Sequence, residues 1–123
     1  MSEEYISRHD EKGSVNISDE VIAVMAATAV SDTEGVFGFS NSVGSEITEL
    51  LGKKSVSKGI KIKFDEDNIN IDLLITVHFG ASIMTVAEKV QKAVCNSVES
   101  MTGIKPTVNV HVSGVAFDKQ QTG

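Results

Sequence analysis

The sequence predicts a small α+β domain in which a mixed β-sheet has one face covered by two main helices. Two observations predict this class. Short segments alternate apolar and polar residues and flank longer segments with helical spacing, in the order strand, helix, strand, short helix, strand, strand, helix, strand. Each clear strand segment also has one polar face, which is typical of a sheet with helices on one side and solvent on the other.

Length and composition favour one globular domain that folds without disulfide or metal cross-links. The chain has 123 residues, of which 41% are apolar and 23% charged, and one hydrophobic core suits that size. Its single cysteine, Cys95, excludes an internal disulfide and a multi-cysteine zinc site. We expect a flexible tail over 1–12, a folded domain over 13–118 and a short tail over 119–123. No secretory signal or membrane-length apolar run is visible, which favours the cytoplasm.

The first half of the chain reads as strand, helix, strand and short helix. Residues 14–18 alternate apolar and polar side chains, and Ser18 suits a helix N-cap. The following run, 21–30, is apolar almost all round, so it predicts a largely buried helix. A second strand is expected at 36–39 and a short helix at 46–51. We expect the first strand, helix and second strand to form a crossover within the sheet.

The second half predicts a hairpin, a long helix and a last strand. Strands at 60–64 and 69–79 flank a turn at 65–68, and the six odd positions from Ile69 to Phe79 are all apolar. The helix begins after Ser82 and ends at Gly103. Its predicted buried stripe has helical spacing: Ile83, Val86, Ala87, Val90, Val94, Val98 and Met101.

The last strand begins after Pro106, where a missing amide hydrogen is tolerated. Val108, Val110 and Val112 face one side of it. The apolar phase then shifts, which predicts a β-bulge at Gly114. We expect the hairpin strand at 69–79, the long helix and this last strand to form a second strand–helix–strand crossover.

Short motifs in a fixed order resemble the alkaline shock protein family, the envelope stress-response proteins of Gram-positive bacteria. They span about Gly13 to Phe117. In chain order they are Val15-x-Ile17-Ser18-x-Glu20-Val21-Ile22, Glu34-Gly35-Val36, Lys58-Gly59-Ile60-Lys61-Ile62, Val86-Ala87-Glu88-Lys89-Val90-Gln91, Val98-Glu99-Ser100-Met101-Thr102-Gly103 and Val108-Asn109-Val110-x-Val112-x-Gly114-Val115-x-Phe117. Each motif alone is weak evidence for this family, but the motifs together, in this order and at this spacing, are specific to it.

The resemblance implies a non-enzymatic protein of cell-envelope homeostasis that acts as an adaptor or scaffold. It implies self-association and a protein partner, and some members of the family lie under the membrane through an integral membrane protein. It brings no catalytic residues, metal or cofactor to this chain. The family has several paralogues with different roles, so the partner and the oligomeric state stay open.

Five lysines form the one basic stretch of a chain whose net charge is −6. They are Lys53, Lys54, Lys58, Lys61 and Lys63. Such a stretch could bind an acidic protein, an anionic lipid surface or RNA, so an RNA-binding module is the alternative function. The acidic net charge and the lack of interleaved aromatic residues count against RNA. The structural explanation, solvated lysines that protect a strand edge, is the stronger one.

The other reactive side chains favour structural roles over chemistry. Cys95 lies beside the predicted apolar stripe, close to Glu99 and without a predicted base. His78 and His111 fall on the polar faces of their strands, with Asp72 and Asn109 on the same phases, and would bind a metal only if the strand register brought them together. We therefore expect a partly buried structural thiol and two solvated histidines.

Two motif-like segments lack the residues that their chemistry needs. Gly52-Lys53-Lys54-Ser55 resembles the end of a phosphate loop, but Ile47 stands where the motif requires glycine. The acidic segment 65–68 lacks the ligand pattern of a calcium loop. We predict neither nucleotide nor calcium binding.

Overall fold

The computed structural model describes residues 5–39 and 59–117, and it confirms a mixed α+β domain. Its elements in chain order are β1 (Tyr5–Asp10), β2 (Gly13–Ser18), α1 (Asp19–Ser31), β3 (Val36–Phe39), β4 (Ile60–Asp65), β5 (Asn68–His78), α2 (Ile83–Thr102) and β6 (Thr107–Ala116). The short helix expected at 46–51 lies outside the described residues.

Strand β5 is the centre of a four-stranded sheet. Parallel β6 pairs with it from Asn70 to His78 and therefore occupies one edge. On the other side of β5, antiparallel β4 pairs with residues 68–73 of β5, and antiparallel β3 pairs with residues 75–77 of β5. Strand β6 follows β5 through α2, so the second predicted crossover connects parallel neighbours.

The N-terminal segment differs from the prediction of a flexible tail over residues 1–12. Tyr5–Asp10 forms β1, which pairs antiparallel with β2 over six residue pairs. Ile6 is only 3% exposed and belongs to the core. The apolar contact of one side chain and a full ladder of backbone hydrogen bonds order a segment whose composition is polar.

The same pairing corrects the prediction for the first strand–helix–strand unit. Strand β2 pairs with β1 in a separate two-stranded sheet, whereas β3 belongs to the four-stranded sheet. The two strands that flank α1 therefore do not form a crossover within one sheet. The alternating pattern identified both strands, but pairing partners depend on tertiary contacts that the pattern does not encode.

Both helices lie on one face of the four-stranded sheet, and the core fills the space between. The inward side chains of β5 have no exposed area: Ile69, Ile71, Leu73, Ile75 and Val77. Helix α2 contributes four fully or nearly buried valines at helical spacing: Val86, Val90, Val94 and Val98. Full burial of each such side chain stabilises the fold by about 1.5–3 kcal/mol.

Helix α1 is less buried than its composition predicts. Ile22, Ala26 and Val30 have no exposed area, but Val21 is 46% and Val24 53% exposed. The helix contacts the rest of the molecule along one side, so an apolar residue on its other side stays in solvent. The predicted N-cap is confirmed, because the Ser18 hydroxyl accepts a hydrogen bond from the Val21 amide at 3.3 Å.

The C-terminal end of α2 is fixed by three polar contacts. Gly103 adopts a left-handed conformation with φ 80°, and its amide donates to the Glu99 carbonyl at 2.8 Å, which confirms it as the C-cap. Arg8 of β1 donates to the Thr102 carbonyl at 3.4 Å. Thr102 is the buried residue of this last turn, and the predicted stripe member Met101 is 67% exposed. The Thr102 hydroxyl donates to the Val98 carbonyl at 2.7 Å, so it is buried with a partner.

Candidate interaction surfaces

The side of the sheet opposite the helices is a polar surface, which we call the open face. Strand register brings its side chains into rows across β4, β5 and β6. Its members are Lys61, Lys63, Asn70, Asp72, Leu74, Thr76, His78, Thr107, Asn109 and His111. Among the described residues, no helix packs on this side, because both helices cover the other one.

Two of the five candidate lysines have described positions, and both lie on the open face. Lys61 and Lys63 are exposed on β4, while Lys53, Lys54 and Lys58 lie outside the described residues. Lys63 faces Asn70 across the strands, and Lys61 faces Asp72. The last residue of β4, Asp65, and the turn that follows it add three carboxylates, those of Asp65, Glu66 and Asp67. A long polyanion on this strand would meet these three carboxylates, whereas a short acidic segment could avoid them and would meet the Asp72 carboxylate that faces Lys61.

One row of the open face runs from Lys61 across β5 to β6, and it contains a fixed pair of polar side chains. The Asn109 amide nitrogen of β6 donates to a carboxylate oxygen of Asp72 at 2.9 Å. Asp72 faces both Lys61 and Asn109 in the strand register. The row therefore presents a lysine, an oriented carboxylate and an amide side by side, which suits hydrogen bonding to another molecule.

His78 and His111 do not converge. His111 lies opposite Leu74, and His78 lies opposite Ala116, so four residues of β5 separate their positions. At a rise of about 3.3 Å per residue, the two positions are about 13 Å apart. Phe37 packs edge-on against His78 with ring centroids 5.4 Å apart. The described residues hold no group of three or more metal-capable side chains.

Cys95 is partly buried and packs against the core from α2. It lines an open groove between α2 and the start of β6, together with Gln91, Glu99 and Lys105. The Gln91 amide nitrogen donates to the Val108 carbonyl at 2.9 Å, which attaches the helix to the strand there. None of the described residues that line the groove is a histidine, so no imidazole among them lies beside the thiol to act as its base.

The acidic segment 65–68 is a hairpin turn. Asp65 and Asn68 face each other across the ends of β4 and β5, and Glu66 and Asp67 connect them. The segment Gly52-Lys53-Lys54-Ser55 lies outside the described residues, so the rejection of a phosphate loop there stays a prediction.

Comparison with known proteins decides the family. A model of the alkaline shock protein family, described as having a cell envelope-related function, matches residues 7–117. The chain belongs to the alkaline shock protein family. The resemblance predicted from the ordered motifs is thereby confirmed, and the function of this family is cell envelope-related.

Two uncharacterised bacterial proteins and one solved structure are similar to the chain over most of its length. The uncharacterised proteins YqhY and YloU of Bacillus subtilis strain 168 are each 36% identical to the chain. The YqhY match covers 86% of this chain and 79% of the relative, and the YloU match covers 84% and 88%. The solved structure MamM-CTD H264A covers 78% of this chain and 96% of its own at a TM-score of 0.50 and 14% identity, which shows a similar fold alone.

Two motif pieces of this alkaline shock family chain meet in the structure. Gly35 has φ 95°, and a β-carbon built on it would lie 2.6 Å from a methyl carbon of Val86. A glycine is therefore required where the chain enters β3 beneath α2. This contact gives a structural role to the Glu34-Gly35-Val36 piece and to the start of the α2 piece.

No helix among the described residues combines the length and apolar character that a membrane crossing requires.

Sequence reasoning missed an exposed apolar surface, which we call the apolar end: Phe79, Ile83, Met84, Val115 and Phe117. The alternation predicted Phe79 as the last inward residue of its strand, but β5 ends at His78, and Phe79 is 64% exposed. Ile83 was predicted in the buried stripe and is 44% exposed. Phe79 lies one residue beyond the end of β5, and Ile83 is the first residue of α2. Phe79 directly before Gly80 was the available signal that the strand ends there.

Proposed function

We propose that this alkaline shock family chain is a non-enzymatic adaptor of cell-envelope homeostasis that binds a protein partner at the cytoplasmic side of the membrane. The observation that carries the proposal is the open face, a polar sheet surface on which two lysines stand beside an oriented carboxylate–amide pair. Such a surface suits recognition by charge and hydrogen bonds. Family membership supports the envelope as the setting.

The proposed contact is between the lysines of the open face and an acidic segment of an integral membrane protein. Lys61 and Lys63 project from the same side of one strand, two residues apart. They can contact neighbouring carboxylates of one segment, and each exposed ion pair stabilises binding by about 1 kcal/mol or less. Their main contribution is to the orientation and selection of the partner.

The non-enzymatic part of the proposal rests on how the reactive side chains are placed. Cys95 has no described histidine beside it, and the two strand histidines are separated along β5. Nucleophilic and general acid–base catalysis both require such groups within hydrogen-bond reach of each other. Among the described residues, the open face brings several polar side chains into register, whereas the reactive side chains form no comparable cluster.

Crosslinking in cells, followed by fractionation and identification of the crosslinked proteins, tests the adaptor function. We expect the wild-type chain to crosslink an integral membrane protein and Lys61→Glu/Lys63→Glu to lose at least 80% of that product, because both lysines then repel an acidic segment. The control Lys89→Glu/Lys92→Glu makes the same charge change on exposed positions of α2 and should retain the product. Urea unfolding should show both variants folded.

Three outcomes would contradict this function. The wild-type chain could be entirely soluble with no membrane protein attached. The two double variants could lose the crosslink equally, which would indicate a general charge effect. The purified chain could instead bind RNA in a salt-dependent way that Lys61→Glu/Lys63→Glu abolishes, which would favour the RNA-binding alternative.

A further inference from the structure

The apolar end combines exposed apolar side chains from the ends of β5 and β6 and from the start of α2. Phe79 directly follows the central strand β5, Val115 lies near the end of β6 and Phe117 directly follows it, and Ile83 and Met84 begin α2 after a short turn. Phe79 is 64%, Met84 68% and Phe117 57% exposed. Single exposed apolar residues are normal on a protein surface, but a contiguous group indicates contact with another molecule.

The two aromatic rings of this surface are held in place before any partner binds. Phe79 and Phe117 stack with ring centroids 4.4 Å apart and an interplanar angle of 22°. The Phe79 amide donates to the Ala116 carbonyl at 2.8 Å, which fixes the two strand ends together. Rings that are already ordered lose little conformational entropy on binding, as in the anchor residues of protein interfaces.

The surface offers no charge to a partner. Neither 79–87 nor 107–117 contains an aspartate, glutamate, lysine or arginine. Exposed Glu88 directly follows the first of these segments, so a charged residue adjoins the uncharged stretch on α2. Interfaces commonly have such an uncharged centre and a polar rim. An anionic lipid surface is disfavoured, because the chain carries −6 and no lysine or arginine lies in these two segments.

We propose that the occupant of the apolar end is the apolar end of a second copy of this chain. An uncharged apolar surface complements itself in a two-fold arrangement. It is also a place where two chains of net charge −6 can approach without bringing like charges into the centre of the contact. This inference deepens the proposed adaptor function, on which it rests, by assigning the surface through which the adaptor self-associates.

The area predicts a weak, reversible dimer. At about 200 Å² for a large apolar side chain, the exposed fractions of the five residues amount to about 500 Å² per copy. Two copies would bury about 1,000 Å² in all, just below the standard range for stable interfaces. We therefore expect weak dimerisation that reverses on dilution.

Sedimentation equilibrium of the full chain at concentrations up to about 500 µM tests the dimer. We expect Phe117→Ser and, separately, Met84→Ser to weaken dimerisation at least tenfold. Phe37→Ser is the matched control, because Phe37 is also 58% exposed but packs against His78 on the open face. Two apolar-end variants in different elements keep the test valid if one of them unfolds, which circular dichroism would show.

Two results would overturn the inference: a wild-type chain that stays monomeric at the highest concentration, and a dimer that Phe37→Ser weakens as much as the other variants do. A further experiment measures binding of the chain to vesicles of phosphatidylglycerol and phosphatidylethanolamine. Binding to them that Phe117→Ser abolishes would assign the apolar end to lipid and also overturn the inference.

Crosslinking in cells separates this inference from the adaptor function. A monomeric Phe117→Ser chain that still crosslinks its membrane partner would support both the dimer surface and the separate open-face contact. If Phe117→Ser remains dimeric while Lys61→Glu/Lys63→Glu loses the partner, the dimer inference fails and the adaptor function stands.

Discussion

The two faces of β5 differ in how far their side chains are exposed to solvent. On the covered face, five alternate side chains from Ile69 to Val77 have no exposed area. On the open face, the intervening side chains are partly or largely exposed, including Leu74 at 38%. The same eleven residues therefore take part in the core with one half of their side chains and in a solvent-facing surface with the other.

This difference separates stability from recognition within one strand. Burial on the covered face supplies the free energy that holds both helices to the sheet. The open face contributes little to that free energy, so its lysines, carboxylate and amide are available for contacts with other molecules. Substitutions on the two faces should therefore have different consequences.

The largest expected difference is between two adjacent leucines. Leu73→Ala removes a fully buried side chain and should lower the free energy of unfolding by about 2–5 kcal/mol, because it leaves a cavity beneath the helices. Leu74→Ala, on the open face, should lower it by about 1 kcal/mol or less. Urea unfolding measures both. Similar losses for the two variants would contradict the assignment of the faces.

A smaller difference should separate two glycines near β3. Gly35→Ala places a methyl group against Val86 at a positive φ and should lower the free energy of unfolding by about 1–3 kcal/mol. Gly38→Ala is its control, because Gly38 lies opposite Thr76 and a β-carbon there meets nothing within 4 Å. Thermal unfolding followed by circular dichroism measures both. A Gly38→Ala variant that loses as much stability would show that space around the open face is limited too.

The smallest effect is expected at the β4–β5 turn, which belongs to neither face. Glu66 has φ 62°, a conformation that favours glycine at the first position of a two-residue hairpin turn. Glu66→Gly should raise the free energy of unfolding by about 0.5–1 kcal/mol, since it relieves that strain. Asp67→Gly, at a position without positive φ, should give no gain. An equal gain for both would show that removal of charge, and not backbone strain, is the cause.

The sequence predicted those features that depend on neighbouring residues. Ser18 as an N-cap, Gly103 as a C-cap and the bulge near Gly114 are each confirmed by local geometry. The alternation of β5 also identified the covered and open faces, and it placed Lys61 and Lys63 on the solvent side of their strand. The positions of Lys53, Lys54 and Lys58 stay predictions.

The errors all concern contacts between segments that are distant along the chain. The sequence placed Ile6 in a flexible polar tail. In the structure Ile6 is buried, and β1 pairs with β2. Phe79 fitted the apolar alternation, but whether an apolar residue is covered depends on how far the helices extend over the sheet. The distance between His78 and His111, which the sequence left open, also depended on strand register.

The sequence by itself determined the α+β class, the family and the two faces of the central strand, because periodicity, caps and ordered motifs are properties of neighbouring residues. The tertiary structure decided which strands pair, which apolar side chains stay in solvent and which polar groups meet. The physical reason is that burial and strand register depend on long-range packing, which no short stretch of sequence specifies.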